Sequence, residues 1–173
     1  MKYLITSIVL IVFGVTALAQ TDEDPVLWTQ ELTKTDSAEY VLVMKAAIMD
    51  GWHVYSQFTS DGGSLPSEFT YVNEGTDYEL IGSTSESETL RVYSDIFEVE
   101  ETYFKGQAIF KQKIRILKPD VRQIKVSLFY QVCKEVCIGQ DKDFYFTLDG
   151  SEAVVAVETI DDRSKEKAAA LML

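Results

Sequence analysis

Apolar and polar residues alternate with a period of two along much of this chain. In Gln107 to Leu117, Phe110, Gln112, Ile114 and Ile116 share one face, and Lys111, Lys113 and Arg115 share the other. That pattern predicts a strand with one face in a core and one in water. In Arg122 to Val132, Ile124, Val126, Leu128, Tyr130 and Val132 point one way, and Lys125, Ser127, Phe129 and Gln131 the other. Phe144, Phe146 and Leu148 repeat the alternation. Tyr40 to Ile48, Trp52 to Phe58, Glu68 to Val72 and Tyr78 to Ile81 read as further strands, and Ala153 to Val157 as a last edge strand. Asp50-Gly51, Asp61-Gly62-Gly63 and Lys118-Pro119-Asp120 punctuate them as turns. Only Asp161 to Leu173 has helix-like composition. Many short strands between turns predict an all-β chain, an immunoglobulin-like β-sandwich. Ser83 to Glu101 breaks the pattern. It is polar and acidic, yet carries Tyr93, Ile96 and Phe97, and it reads as a loop with apolar groups set aside for a use.

The first residues are of another kind. Lys2, the apolar run from Leu4 to Val15 and the small-x-small triplet Ala17-Leu18-Ala19 form the three parts of a secretory signal. The run is short for a spanning helix, which needs about 20 apolar residues. The expected organisation is a signal peptide over residues 1–19, one domain over 20–158 and a charged tail over 159–173. No cysteine follows the run, which argues against a lipoprotein anchor. The expected location is therefore the periplasm or the exterior, without stable membrane insertion. The chain carries a net charge of −12. Such a surface repels phosphate and argues against a nucleic-acid partner.

Two cysteines, Cys133 and Cys137, are the chain's only thiols. An oxidising compartment makes a disulfide between them the expected state. As a staple it is weak: closing a loop of about five residues restricts the unfolded chain by only ~2 kcal/mol. If Val132 ends one strand and Ile138 begins the next, the cysteines face each other across a tight hairpin. Directly opposed residues hold their Cβ atoms about 4.5–5.5 Å apart, wider than the ~3.8 Å a relaxed disulfide prefers. Some strain, and easier reduction, is the expected consequence. Glu135 disfavours a thiolate in this loop and Lys134 favours one. Metal chemistry fits poorly, because two cysteines and one histidine, His53, do not complete a zinc or blue-copper site. Two readings stay open on these residues. The pair exchanges with other thiols, or it pins a hairpin in a non-catalytic binding module whose aromatic loop is the docking surface. A reduction potential below about −300 mV would mark the second.

Three segments carry a family resemblance: Asp50-Gly51-Trp52-His53-Val54-Tyr55-Ser56-Gln57, Ser94-Asp95-Ile96-Phe97, and Tyr130-Gln131-Val132-Cys133 with Cys137. From about Trp28 to Leu148 the chain resembles the N-terminal periplasmic domain of the thiol:disulfide interchange protein DsbD. The resemblance implies an immunoglobulin-like fold with a redox cysteine pair at one end. It implies that Cys137 forms mixed disulfides with partners and that Cys133 resolves them. By the same likeness Phe97 is a cap aromatic shielding the disulfide, with Asp95 an acid beside it. Tyr55 is an active-site tyrosine, and His53 stands where the family can have a second one. The implied activity is that of a protein-disulfide reductase component without a cofactor. Electrons would pass from a membrane thiol-disulfide reductase to thioredoxin-like or disulfide isomerase partners, in disulfide repair or cytochrome maturation. The chain departs from the family in three ways. Only three residues separate the cysteines, Ile96 replaces a second cap acid, and no membrane carrier or thioredoxin-like domain accompanies the domain. An electron donor on a separate protein is the expectation that follows.

Overall fold

A computed structural model describes residues 24–148. The signal peptide expected over residues 1–19, the strand expected at Ala153 to Val157 and the tail expected over residues 159–173 lie outside these residues. Ten strands run in the order β1 (Val26–Lys34), β2 (Glu39–Ile48), β3 (His53–Tyr55), β4 (Glu68–Tyr71), β5 (Tyr78–Glu86), β6 (Leu90–Ser94), β7 (Val99–Phe104), β8 (Gln107–Ile116), β9 (Gln123–Cys133) and β10 (Cys137–Thr147). They form two antiparallel sheets. The first, sheet A, has the order β1-β2-β8-β5. The second, sheet B, has the order β10-β9-β3-β7-β6, with β4 also paired to β9. The two layers form the immunoglobulin-like sandwich the alternation predicts.

The inward residues are the ones the period of two selects. Leu42, Met44 and Ala46 of β2 meet Phe110 and Ile114 of β8, and Ile124, Val126, Leu128, Tyr130 and Val132 of β9 close the core from the other sheet. Trp28 lies among Phe110, Tyr130 and Phe144, with ring centroids 6.2, 5.2 and 5.6 Å away. Burying such rings supplies most of the driving force for folding. Gln112 occupies an inward position and is fully buried. Its amide donates to the carbonyls of Gly82 and Lys113 at 3.2 and 2.7 Å, and its oxygen accepts from Thr84 Oγ1 at 2.9 Å. These bonds secure the bulge between Ile81 and Ser85 in β5.

Four elements differ from the pattern-based expectation. β3 covers only His53–Tyr55 of the strand expected from Trp52 to Phe58. β1 has no clear apolar alternation beyond Trp28, because Gln30 takes a core-side position; its amide donates to the Tyr145 carbonyl of β10 at 2.6 Å. β5 runs on to Glu86 instead of stopping at Ile81. The stretch expected as a loop, Ser83 to Glu101, is the end of β5 followed by a hairpin of β6 and β7. Its alternation is hidden for two reasons. β6 is an edge strand exposed along nearly its whole length. In β7 the buried positions include Glu101 and Thr102, residues that pattern reading counts as polar.

Candidate functional site

Cys133 ends β9 and Cys137 begins β10. The two are register partners, and a disulfide joins them with Cα atoms 4.1 Å apart. The tight connection closes with the Lys134 N–H donating to the Val136 carbonyl at 3.2 Å. The two ends of the bond differ in access. Cys133 is 2% exposed, whereas Cys137 is open to solvent, and beside it Val136 is 72% exposed. On its other side Cys133 pairs with His53 of β3. Strand alternation therefore puts Cys137, Cys133 and His53 in one row across sheet B, on the face away from the core. Gly51 turns the chain into this region with a φ of 80°, and the Lys134 stem lies over it. A Cβ at Gly51 would stand 3.1 Å from Lys134 Cε.

Behind the disulfide the same face is aromatic and polar together. The Tyr103 ring lies 4.6 Å from His53 and 6.0 Å from Tyr55. His53 Nε2 and the Tyr55 hydroxyl are hydrogen-bonded at 3.1 Å. Glu101 of β7 is 8% exposed. Its Oε1 accepts the Ser64 N–H at 2.9 Å and it acts on the Tyr55 hydroxyl from behind. Burial pushes the Tyr55 phenol up, and Glu101 adds to that. Burial holds the His53 imidazole below its ordinary value, and Lys105 lowers it further while Glu101 opposes both. At neutral pH His53 is therefore an uncharged base.

The segment from Ser56 to Ser67 is sewn onto this face. Ser67 Oγ donates to the Tyr55 carbonyl at 2.6 Å, and the Leu65 N–H to Gln131 Oε1 at 2.8 Å. The Thr102 N–H donates to Thr59 Oγ1 at 3.0 Å. Ser56 Oγ, turned inward, instead ties the start of the segment to sheet A: it donates to Glu86 Oε1 of β5 at 2.5 Å and accepts the Phe58 N–H. Gly63 is required by close approach, because a Cβ there would come within 2.9 Å of Glu101 Oε1. Phe58 and Leu65 project outward from the segment, 64% and 51% exposed.

The residues singled out from sequence thus fall in two places. Cys133, Cys137, His53 and Tyr55 come together. Asp95 and Phe97 sit in the turn joining β6 to β7, where the Glu98 N–H donates to the Ser94 carbonyl at 2.8 Å. That turn adjoins Val99, at the opposite end of β7 from Tyr103 and Phe104, which pair with β3 beside the disulfide. Phe97 is 45% exposed and Ile96 86%. Glu101, Tyr103 and Ser64 were not anticipated. Sequence reading left Glu101 at the end of a polar, acidic loop, with no alternation to mark it as buried.

Among the described residues no helix is long and apolar enough to cross a membrane. The family model "Thiol:disulfide interchange protein DsbD, N-terminal" matches residues 28–149. No curated protein matches the chain. Among solved structures, the N-terminal periplasmic domain of ScsB from Proteus mirabilis is similar at 14% identity and a TM-score of 0.57. The match covers 90% of this chain and 56% of that one, so the chain spans little more than half its length. The reduced N-terminal domain of Neisseria meningitidis DsbD is 22% identical, covering 73% and 88%, with a TM-score of 0.44. The DsbD N-terminal domain in its complex with the PilB N-terminal domain, also from Neisseria meningitidis, is 19% identical, covering 73% and 86%, with a TM-score of 0.42.

Proposed function

The chain belongs to the family of DsbD N-terminal domains of thiol:disulfide interchange proteins, and from that premise we propose that it relays electrons between exported proteins through Cys133 and Cys137. The unequal access of the two cysteines carries this reading: Cys137 is open to a foreign thiolate and Cys133 is buried behind it. A thiolate of an upstream membrane reductase attacks Cys137 Sγ. The Cys133–Cys137 bond breaks, Cys133 leaves as a thiolate and takes up a proton, and a mixed disulfide forms. The donor's second thiol then attacks the donor sulfur of that mixed disulfide; the donor's own disulfide forms, Cys137 leaves as a thiolate, and both cysteines are reduced. In the onward step the Cys137 thiolate attacks the disulfide of a thioredoxin-like or isomerase acceptor, and Cys133 then closes on Cys137 and releases the acceptor with the electron pair. Attack is productive only at the accessible sulfur, and the buried one serves as the internal leaving group.

Phe97 and Asp95, cap residues by the family resemblance, lie in the turn at the far end of β7 from the disulfide, so in this reading they meet a partner rather than cover the bond. They ride on a hairpin attached to β3 by the last residues of β7, with the Tyr93, Ile96 and Phe97 side chains exposed to meet a partner. Export through the segment of residues 1–19 to the periplasm or beyond supplies the oxidising surroundings the pair needs.

Trapping tests the assignment. Cys133→Ala should accumulate a stable mixed disulfide with a thioredoxin-like partner, seen on a non-reducing gel. Cys137→Ala should give none, a loss of at least about 100-fold in trapped species. Equal trapping by both variants would overturn the roles.

A further inference from the structure

A buried carboxylate acts on a tyrosine hydroxyl, which is hydrogen-bonded to the chain's single imidazole, and that imidazole's residue is the cross-strand partner of Cys133. Thiol chemistry supplies a use for such an arrangement. The resolving step needs Cys133 as a thiolate, yet Cys133 is 2% exposed, where water is a poor proton acceptor and burial raises a thiol's affinity for its proton. A base reaching Cys133 from within the protein removes that obstacle. His53 is its direct cross-strand partner. Opposed residues in antiparallel strands hold their Cβ atoms about 4.5–5.5 Å apart, on one face.

We propose that His53 accepts the proton of the Cys133 thiol during resolution, held for that task by Tyr55 and by the Glu101 carboxylate behind it. The proposal rests on the exchange reading above and deepens it. In the step, the Cys133 S–H proton moves to the imidazole, and the sulfur so freed attacks Cys137 Sγ. The Cys133–Cys137 bond forms as the bond from Cys137 to the partner sulfur breaks, and the partner leaves as a thiolate carrying the electron pair. The imidazolium returns its proton to solvent or to the departing thiolate.

The surroundings suit this cycle. On β3 the imidazole is held by the Tyr55 hydroxyl. From β7 it faces Tyr103 and Glu101, and from the turn that follows β7 it faces Lys105. From β9 it meets Cys133, and Lys134 and Glu135 follow in the connection to β10. Burial and Lys105 keep it neutral before the step, and Glu101 favours the cation formed during it. Tyr55 acts here through its hydrogen bond to the imidazole, and Glu101 through Tyr55, so both are positioning residues.

Reaction of the reduced protein with 5,5′-dithiobis(2-nitrobenzoate) isolates the step. Attack by Cys137 releases one thionitrobenzoate, and closure by Cys133 releases a second, both read by absorbance. The second phase should rise with pH about a midpoint equal to that of the imidazole, which NMR reads without ambiguity because the chain has one histidine. In His53→Gln the second phase should slow on the order of 100-fold at pH 7 and follow the thiol's own ionisation, near pH ~8.5 or above. Glu101→Gln should lower the imidazole and rate midpoints together. A His53→Gln profile equal to wild type, or a Glu101→Gln protein in which the imidazole midpoint moves and the rate midpoint stays, would overturn the proposal. A wild-type protein that releases no second thionitrobenzoate would instead defeat the exchange reading itself.

Discussion

The two outer faces of this sandwich are built from the same strand periodicity and carry opposite kinds of chemistry. On sheet A the outward side chains are long and charged. Glu39 bridges Lys113 and Arg115 at 2.5 and 2.8 Å, Arg115 reaches Glu79 at 2.7 Å, and Lys45 meets Glu31 at 2.5 Å. All of these groups stay partly in water, so each pair is screened and each is replaceable. On sheet B the outward side of β3 and β7 carries His53, Tyr55, Tyr103 and a buried Glu101, roofed by the segment from Ser56 to Ser67. Farther from the disulfide the same sheet returns to an exposed pair, Lys125 with Asp143 at 2.7 Å. A polar group removed from water costs free energy unless it is hydrogen-bonded. Among the described residues that cost is accepted on the outer face of sheet B beside the disulfide and not on the outer face of sheet A, whose buried polar groups, Gln112 and Thr84, turn inward, and so sheet B's outer face is where chemistry is to be sought.

The sharpest way to break this contrast is at Glu101. Glu101→Ala leaves the Ser64 N–H without its acceptor and removes the carboxylate acting on Tyr55. The expected cost is about 1–3 kcal/mol, read as a lower denaturant midpoint at unchanged slope. The roof should loosen with it, so that in the reduced protein Cys133 is alkylated faster than in wild type while Cys137 is little changed. Unchanged stability together with unchanged alkylation would mean that the carboxylate is no more than another surface charge.

This contrast was half legible in the sequence. Sheet A's exterior was, because Lys111, Lys113 and Arg115 alternate with apolar partners and are exposed among the described residues. So were β9 and the β9–β10 turn, since four-apart cysteines at a strand end define a hairpin. The DGWHVYSQ segment pointed to His53 and Tyr55, which do lie beside the disulfide. What the alternation hid is the roof and its tether. Alternation reports which strand face meets the core, and it says nothing of a loop folding back over the opposite face. Glu101, Ser64 and Gly63 matter only through that fold-back, which joins residues 37 positions apart in sequence. The β6–β7 hairpin was misread for a related reason: an edge strand has no second neighbour to impose a pattern on it.

Acid and alkali should act on different parts of the molecule, with a smaller effect. His53 titrates below its ordinary 6.5 in the folded protein, chiefly through burial. As pH falls through 6.5 the unfolded chain gains a proton there before the folded one does, so stability drops in that window and levels off below the folded value. In His53→Gln that slope should vanish. The carboxyls of Glu39, Asp77 and Asp143 are held low, first of all by hydrogen bonds from lysines, so their contribution is full above the ordinary carboxylate range and is lost only as pH falls below it. At the other extreme, burial raises the Tyr71 phenol to about 12 and pushes Tyr78 and Tyr130 up as well. Unfolded tyrosines ionise near 10. Stability should therefore decline as pH rises past that value and continue to fall toward 12. Denaturant midpoints measured from pH 3 to 11 separate these windows. A His53→Gln protein that keeps the wild-type slope between pH 6.5 and 4 would show that the imidazole is as well solvated as an exposed one.

The smallest effect belongs to sheet A and completes the contrast from its other side. Lys45 and Glu31 lie on neighbouring strands, diagonally offset in register, with side chains 39% and 40% exposed. Ordering two long side chains offsets most of the attraction at that exposure. A double-mutant cycle with Lys45→Met and Glu31→Gln should give a coupling of about 0.5 kcal/mol or less, shrinking further in 0.5 M salt. Exchange kinetics at Cys137 should not respond, because this face lies on the other sheet from the disulfide and shares with it only the apolar core. A coupling above about 1 kcal/mol that survives salt would place sheet A's exterior alongside sheet B's, as a surface organised for more than solubility.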